Sequence, residues 1–335
     1  MPTDTPLPQT SVPYHQLLRG PRRRWWKPLL SLLLVVGIGG VLGMLIYGAG
    51  ALAHYLGFTA LGRVDEDLSP LSMLTLDLVL ASSIVVAGLA TWIVHRIRPR
   101  YVSSVIGGVR WRWLLRCLLV ITPVWALYLL VGTLVDPPAS GRPDQWVPLL
   151  LMAILITPFQ AAGEEYLFRG WLVQNVGAFF GRPIVGLISS TVVSAALFSL
   201  AHGSFDPWII GSISTLAVAA CLTNWRTGGL EAGIALHVVN NVTIGVLTIT
   251  VGGYAESFVS TESTGSPVEF VIGLLVHAVA VALILWQARR TGVQRLFRPV
   301  TSQLVMSLRR KCQTAIPVST TAYPMAHSAP VTMSE

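Results

Sequence analysis

The sequence predicts an all-α fold, a polytopic membrane helix bundle of about eight transmembrane helices. Three observations predict it. Apolar residues make up 53% of the 335-residue chain and charged residues only 11%, against the ~25% charged content of soluble domains. Apolar runs of about 18 residues or more recur along the chain, each long enough to cross a ~30 Å hydrocarbon core. The basic residues gather in short clusters beside those runs, as cytoplasmic anchors do. A formal charge of +8 would suggest nucleic acid in a soluble chain. Here the basic clusters flank apolar runs and line no single polar face, so the expected partner is the lipid bilayer and no nucleic acid is expected.

The first 27 residues are polar and proline-punctuated, ending in Arg22, Arg23, Arg24, Trp25, Trp26 and Lys27. They read as a cytoplasmic basic tail with an interfacial anchor. The run from Pro28 to about Leu52 is too long for a signal-peptide core, so it is read as a first span. Further spans are expected at Leu71 to Val94, Trp113 to Leu134, Val147 to about Phe168, Ile184 to Leu200, Trp208 to Leu222, Leu230 to Val251 and Val268 to Trp286. The bundle thus occupies 28–290. Residues 291–335, rich in Ser, Thr, Pro and Ala, are expected to be a disordered cytoplasmic tail with too little apolar content to fold. Gly39 and Gly43 form a GxxxG that is expected to serve close packing within the bundle.

Charge supports the count. Of the 23 Lys and Arg residues, 21 fall in the tails and the even-numbered loops, leaving Arg63 and Arg142 on the other side. The odd-numbered loops carry acids instead, among them Asp65, Glu66, Asp136, Asp206, Glu256 and Glu262. Both termini are therefore expected in the cytoplasm. Cys117, Cys221 and Cys312 are scattered without CxxC spacing, which excludes a disulfide framework and a cysteine-based zinc site.

An ionisable residue inside a span is a functional candidate, because lipid makes it costly. Glu164, Glu165 and Arg169 lie in Gln160-Ala-Ala-Gly-Glu-Glu-Tyr-Leu-Phe-Arg169. On a helix Glu165 and Arg169 are one turn apart and neutralise one another, whereas Glu164 lies about 140° from Arg169 and points elsewhere. Phe198 is one turn before His202, so its ring packs beneath the imidazole. His237 and Asn241 share a face of the seventh span, with Asn240 a rival neighbour. Singly, the last pair reads as hydrogen-bond glue between helices. Together, a carboxylate pair with an arginine, a histidine and a His/Asn pair on three spans provide a base, a second proton-handling group and oxyanion donors. That is a hydrolase constellation. Asp77 and His277 read as isolated hydrogen-bonded residues, and Glu231 suits the positive end of a helix dipole.

These residues resemble the signatures of the CAAX protease and bacteriocin-processing (CPBP, or Abi) family of intramembrane endopeptidases, which includes the Ras-converting CAAX endopeptidase. The family's EExxxR is matched by Glu164-Glu165-Tyr-Leu-Phe-Arg169, its FxxxH by Phe198-Ser-Leu-Ala-His202 and its HxxxN by His237-Val-Val-Asn-Asn241. The resemblance covers about 146–251, the expected protease core. It implies that Glu164 and His202 activate the hydrolytic water, that His237 and Asn241 hold the oxyanion, and that Glu165 and Arg169 support Glu164. The implied substrate is a membrane-associated protein or peptide, and the implied location a bacterial plasma membrane. HExxH is absent; a His₂Glu zinc site of Glu164, His202 and His237 is the metal alternative, and hydrolysis without a cofactor is the expectation. A non-catalytic Abi-type immunity or scaffold protein and a proton-coupled transporter are the competing functions. No internal repeat supports transport.

One difficulty follows from these spans. Glu164 falls toward the inside and His202 toward the outside, so either the fourth helix continues to about Phe180 or the fifth is displaced. The topology is open to direct measurement. Cysteine labels in the tails are expected to react only from the cytoplasmic side, and labels near Asp65 and Glu262 only from the outside. Tails on opposite faces would contradict the count.

Overall fold

The computed structural model describes residues 6–299. The expected runs are helical, with proline in the first turn and glycine past the end marking several boundaries, as the missing N–H of proline and the positive φ of glycine allow. α1 (Lys27–Tyr55) carries Pro28 in its first turn. α2 (Pro70–Ala90) starts behind Ser69, whose side chain accepts from Ser72 N, and widens into a π-helical turn at Thr91–His95. After the single turn α3 (Arg100–Ser103) comes α4 (Trp111–Val135).

The fourth apolar run is broken. α5 (Trp146–Leu155) is followed by α6 (Thr157–Glu164), a π-helical stretch Glu165–Leu172 and α7 (Val173–Gly177). The two parts meet at 46°. Pro158 causes the bend, since it donates no hydrogen bond to the preceding turn. Thr157 at the break donates instead to Asp77 Oδ2 at 2.7 Å, which gives that intramembrane acid its partner. The span expected to stop near Phe168 therefore runs on to Gly177, and Glu164 lies just beyond the middle of the composite helix.

α8 (Pro183–Leu200), α9 (Pro207–Thr227), α10 (Glu231–Thr250) and α11 (Pro267–Thr291) complete the bundle. α9 is capped by Asp206, which accepts from Trp208 N and Ile209 N, and α11 by a reciprocal Ser266–Glu269 capping box. Among the described residues seven helices are long and apolar enough to cross a membrane, and the bent pair makes an eighth. The outward faces are apolar: Leu33 and Met44 on α1 and Leu127 on α4 are each more than 60% exposed. In water that surface would be untenable; against lipid it has no cost.

The interior is built by close approach. Gly39 and Gly43 lie against Val86 and Val79 of α2, so the GxxxG packs within the bundle. Gly163 of α6 sits so near the Leu80 carbonyl of α2 that a Cβ would come within 2.1 Å of it. At one end of α10, the Arg110 guanidinium grips Glu231 through Nε at 2.8 Å and Nη2 at 2.5 Å, and also donates to Thr227 O and Gln294 O. Glu231 thus serves as one end of a buried fork as well as a helix-dipole partner.

Part of the expected N-terminal tail is packed. β1 (Val12–Pro13) pairs antiparallel with β2 (Leu296–Phe297), Val12 opposite Phe297. The next residues enter the protein: the Tyr14 hydroxyl donates to Val102 O, His15 Nε2 donates to Pro183 O at 2.9 Å and Gln16 Nε2 to Phe180 O at 3.1 Å. Cys117 and Cys221 are buried free thiols, while Cys312 and residues 300–335 of the expected C-terminal tail lie outside the described residues.

His15 gives this segment a pH dependence. Its Nδ1 is buried without a partner, and burial lowers its pKa below the usual 6.5. A histidine depressed in the folded state contributes stability above its unfolded pKa and loses it as pH falls below that value. Proteolysis of the N-terminal segment in the intact protein is therefore expected to accelerate as pH falls from about 7 to about 5, and His15→Gln is expected to flatten the dependence. An unchanged slope in that variant would contradict the assignment.

Candidate active site

α6, the π-helical stretch and α10 bring Glu164, Glu165, Arg169 and His237 together, while His202, in the turn after α8, meets this group through Phe198. Glu165 is fully buried and sits between two cations or donors: Arg169 Nη1 lies 3.1 Å from its Oε1, and His237 Nδ1 lies 3.0 Å from the same oxygen. A carboxylate only accepts, so His237 carries its proton on Nδ1 toward Glu165 and turns Nε2 the other way. That nitrogen faces Glu164 Oε2 at 3.6 Å, beyond a direct hydrogen bond and within reach of a bridging water.

α10 comes close enough for this because Gly233 has no side chain. A Cβ there would lie 2.9 Å from Glu165 Oε2 and 2.8 Å from the Asn224 amide. The π-helical stretch supplies the other half of the fit: it begins at Glu165 and contains Arg169, and an extra residue per turn shifts the face each presents. Arg169 is fully buried, with its guanidinium carbon 3.8 Å from the centre of the Phe198 ring. The ring face offsets part of the desolvation that its single ion pair leaves uncompensated.

Phe198 is the centre of the aromatic contacts. His202 meets its edge at 4.8 Å, His237 at 5.6 Å and Phe168 at 5.2 Å between centroids. His202 Nδ1 donates to the Phe198 carbonyl at 2.8 Å, which leaves Nε2 as the ring's acceptor. His202 is thus joined to the carboxylate group through Phe198. Among the described residues no three His, Cys, Asp or Glu side chains are grouped to hold a metal ion. The Glu164, His202 and His237 set does not fit zinc in this arrangement.

Glu164 is nearly buried. Its Oε1 accepts from Gln160 Nε2 at 2.6 Å, and its Oε2 has no hydrogen-bond partner. Asn241 Nδ2 donates to Gln160 Oε1 at 3.1 Å, and Asn240 joins Asn241 to the indole of Trp125. Gln160 and Trp125 received no role from the sequence, and Asn240 only that of a rival to Asn241 beside His237. The signal for Gln160 was its place one helical turn before Glu164.

Residues 145–243, which contain all of these groups except Trp125, match the model of the family described as type II CAAX prenyl endopeptidase Rce1-like. The segment is similar to that family over these residues. It spans α5 to the middle of α10 and agrees with the resemblance to the CPBP family. A curated relative is the uncharacterized protein YyaK of Bacillus subtilis (strain 168), 24% identical over 160 residues that cover 44% of this chain and 51% of that protein. The chain therefore matches about half the length of that relative. No solved structure matches significantly. The matched family is one of proteases, and the long apolar helices mark this chain as an integral membrane protein.

The two adjacent acids are expected to behave differently. Glu165→Ala strands Arg169 as a buried unpaired cation and is expected to destabilise the protein by roughly 3–5 kcal/mol. Glu164→Ala removes an acid whose direct hydrogen bond is to an amide and whose approach to His237 is a longer 3.6 Å, so its melting temperature is expected to stay near wild type. Equal melting temperatures for both variants, measured in the same detergent, would contradict this division.

Proposed function

We propose that the protein is an intramembrane endopeptidase that hydrolyses a peptide bond in a membrane-associated protein or peptide. The observation that carries the reading is the buried Glu164 Oε2, which accepts no hydrogen bond and faces His237 Nε2 of α10 across 3.6 Å. A carboxylate with one oxygen anchored and the other unoccupied is an acceptor for a proton from water. In this reading Glu164, assisted by His202 through Nε2, takes that proton as the water oxygen bonds to the carbonyl carbon, and returns it to the leaving amine as the C–N bond breaks. Asn241 stabilises the tetrahedral oxyanion through its amide N–H, and His237 joins it when Nε2 also carries a proton, with Nδ1–H still on Glu165. Glu165 and Arg169 fix His237 and the helix that bears Glu164. The Rce1-like match supports the protease class. The substrate class named by the family, a prenylated CAAX C-terminus, is one probe to include. Hydrolysis is proposed to proceed without a metal, since the residues offer no grouped ligand set. The site is proposed to lie in a bacterial plasma membrane with both termini cytoplasmic, on the strength of the basic clusters.

The experiment compares membrane-protein fragments, by mass spectrometry, from cells producing wild type or Glu164→Ala at equal levels. Fragments present with wild type and lost with the variant are expected. The cleavage should then persist in purified protein after prolonged chelation. Identical fragment sets would overturn the reading. Activity abolished by chelation and restored by zinc would replace it with a Lewis-acid mechanism.

A further inference from the structure

Four hydrogen bonds form a line behind the site. The Trp125 indole N–H donates to Asn240 Oδ1 at 3.2 Å, and Asn240 Nδ2 to Asn241 Oδ1 at 3.0 Å. Asn241 Nδ2 then donates to Gln160 Oε1 at 3.1 Å, and Gln160 Nε2 to Glu164 Oε1 at 2.6 Å. The line crosses from α4 through α10 to α6. Its ends fix its direction, because an indole nitrogen only donates and an ionised carboxylate only accepts. Each amide between them must turn its oxygen toward Trp125 and its nitrogen toward Glu164. Reversing any one would set two donors or two acceptors face to face.

We propose that Gln160 is a positioning residue of the hydrolytic site, and that Trp125 and Asn240 fix the orientation in which it works. The inference rests on the endopeptidase reading above. Gln160 holds Glu164 by Oε1, so that Oε2 is the oxygen left for water. Its own carbonyl takes one N–H of Asn241 and leaves the second N–H of that amide for the oxyanion. One side chain thereby sets the base and the oxyanion donor relative to each other. Each bond in the line polarises the next in the same sense, toward the carboxylate.

A packing role and an orienting role make opposite demands at Asn240. Packing alone requires the volume, so Asn240→Asp would be milder than Asn240→Ala. Orientation requires a donor toward Asn241. Asn240→Asp places acceptors on both sides, forces the Asn241 amide to turn over, and so presents the wrong end of Gln160 to Glu164. It is therefore expected to be the worse of the two.

The test uses the full chain in proteoliposomes and a synthetic peptide spanning a cleavage that disappears with Glu164→Ala. Gln160→Met is expected to lower kcat about tenfold or more with KM changed less than about twofold, the pattern of a lost transition-state arrangement. Trp125→Phe is expected to lower kcat in the same direction by less, and Asn240→Asp to lower it more than Asn240→Ala. Melting temperatures give a second readout that needs no substrate. Trp125→Phe and Gln160→Met share no direct contact, so independent packing effects would add, whereas one line broken twice loses less than the sum. Additive shifts, or an unchanged kcat in Gln160→Met while Glu164→Ala is inactive, would overturn the inference and leave the endopeptidase reading standing. Wild-type activity in Glu164→Ala would overturn the endopeptidase reading instead.

Discussion

Glu165 accepting from His237 at 3.0 Å while it pairs with Arg169 at 3.1 Å is the interaction on which the rest of the bundle's interior depends. An ion with no water beside it is stable only where a partner is fixed in place, and all three groups here are almost entirely buried. α6 and α10 must therefore lie against each other at one register. Gly233 makes the approach possible on α10, and Gly163 lets α6 settle onto α2 behind it. Glu164 inherits its position from this arrangement. It is next to a residue that cannot move.

The helix carrying these groups is itself a compromise. A straight helix from Trp146 would place Glu164 elsewhere in the bundle, and Pro158 bends it at the point where Thr157 finds Asp77. Broken helices are tolerated at membrane depth where side chains take up the freed polar groups. At another place the Arg110–Glu231 fork fixes the start of α10 to the start of α4. Thus α4 holds α10 twice, by an ion pair at its first turn and by Trp125 at Asn240. The helices that bear no family motif still set the geometry of the ones that do.

Much of the fold was legible because lipid writes it plainly. Apolar length gives the spans, whereas the caps Ser69, Asp206 and Ser266 emerged only with the structure. The i, i+4 relation of Glu165 and Arg169, and of Phe198 and His202, was equally visible, since it is local to one helix. What the sequence concealed was contact between helices. Nothing in the spacing reveals that Glu165 meets His237, that Gln160 lies between Glu164 and Asn241, or that Trp125 is bonded to Asn240. The length of the fourth helix was underestimated because Glu164, Glu165 and Arg169 resemble the polar end of a span when their buried partners are unknown. The packed Tyr14 to Gln16 turn was hidden for the opposite reason, as a short polar segment whose hydrogen bonds all go to distant carbonyls.

The most direct measurement of the central claim is the protonation of the His237 ring by nitrogen-15 magnetic resonance in lipid, with its signals assigned by their loss in His237→Gln. The account predicts a proton on Nδ1, hydrogen-bonded to a carboxylate, and a marked change in that signal in Glu165→Gln. An Nδ1 without a proton, or one indifferent to Glu165, would mean that α6 and α10 do not meet as described and that the candidate site is not assembled.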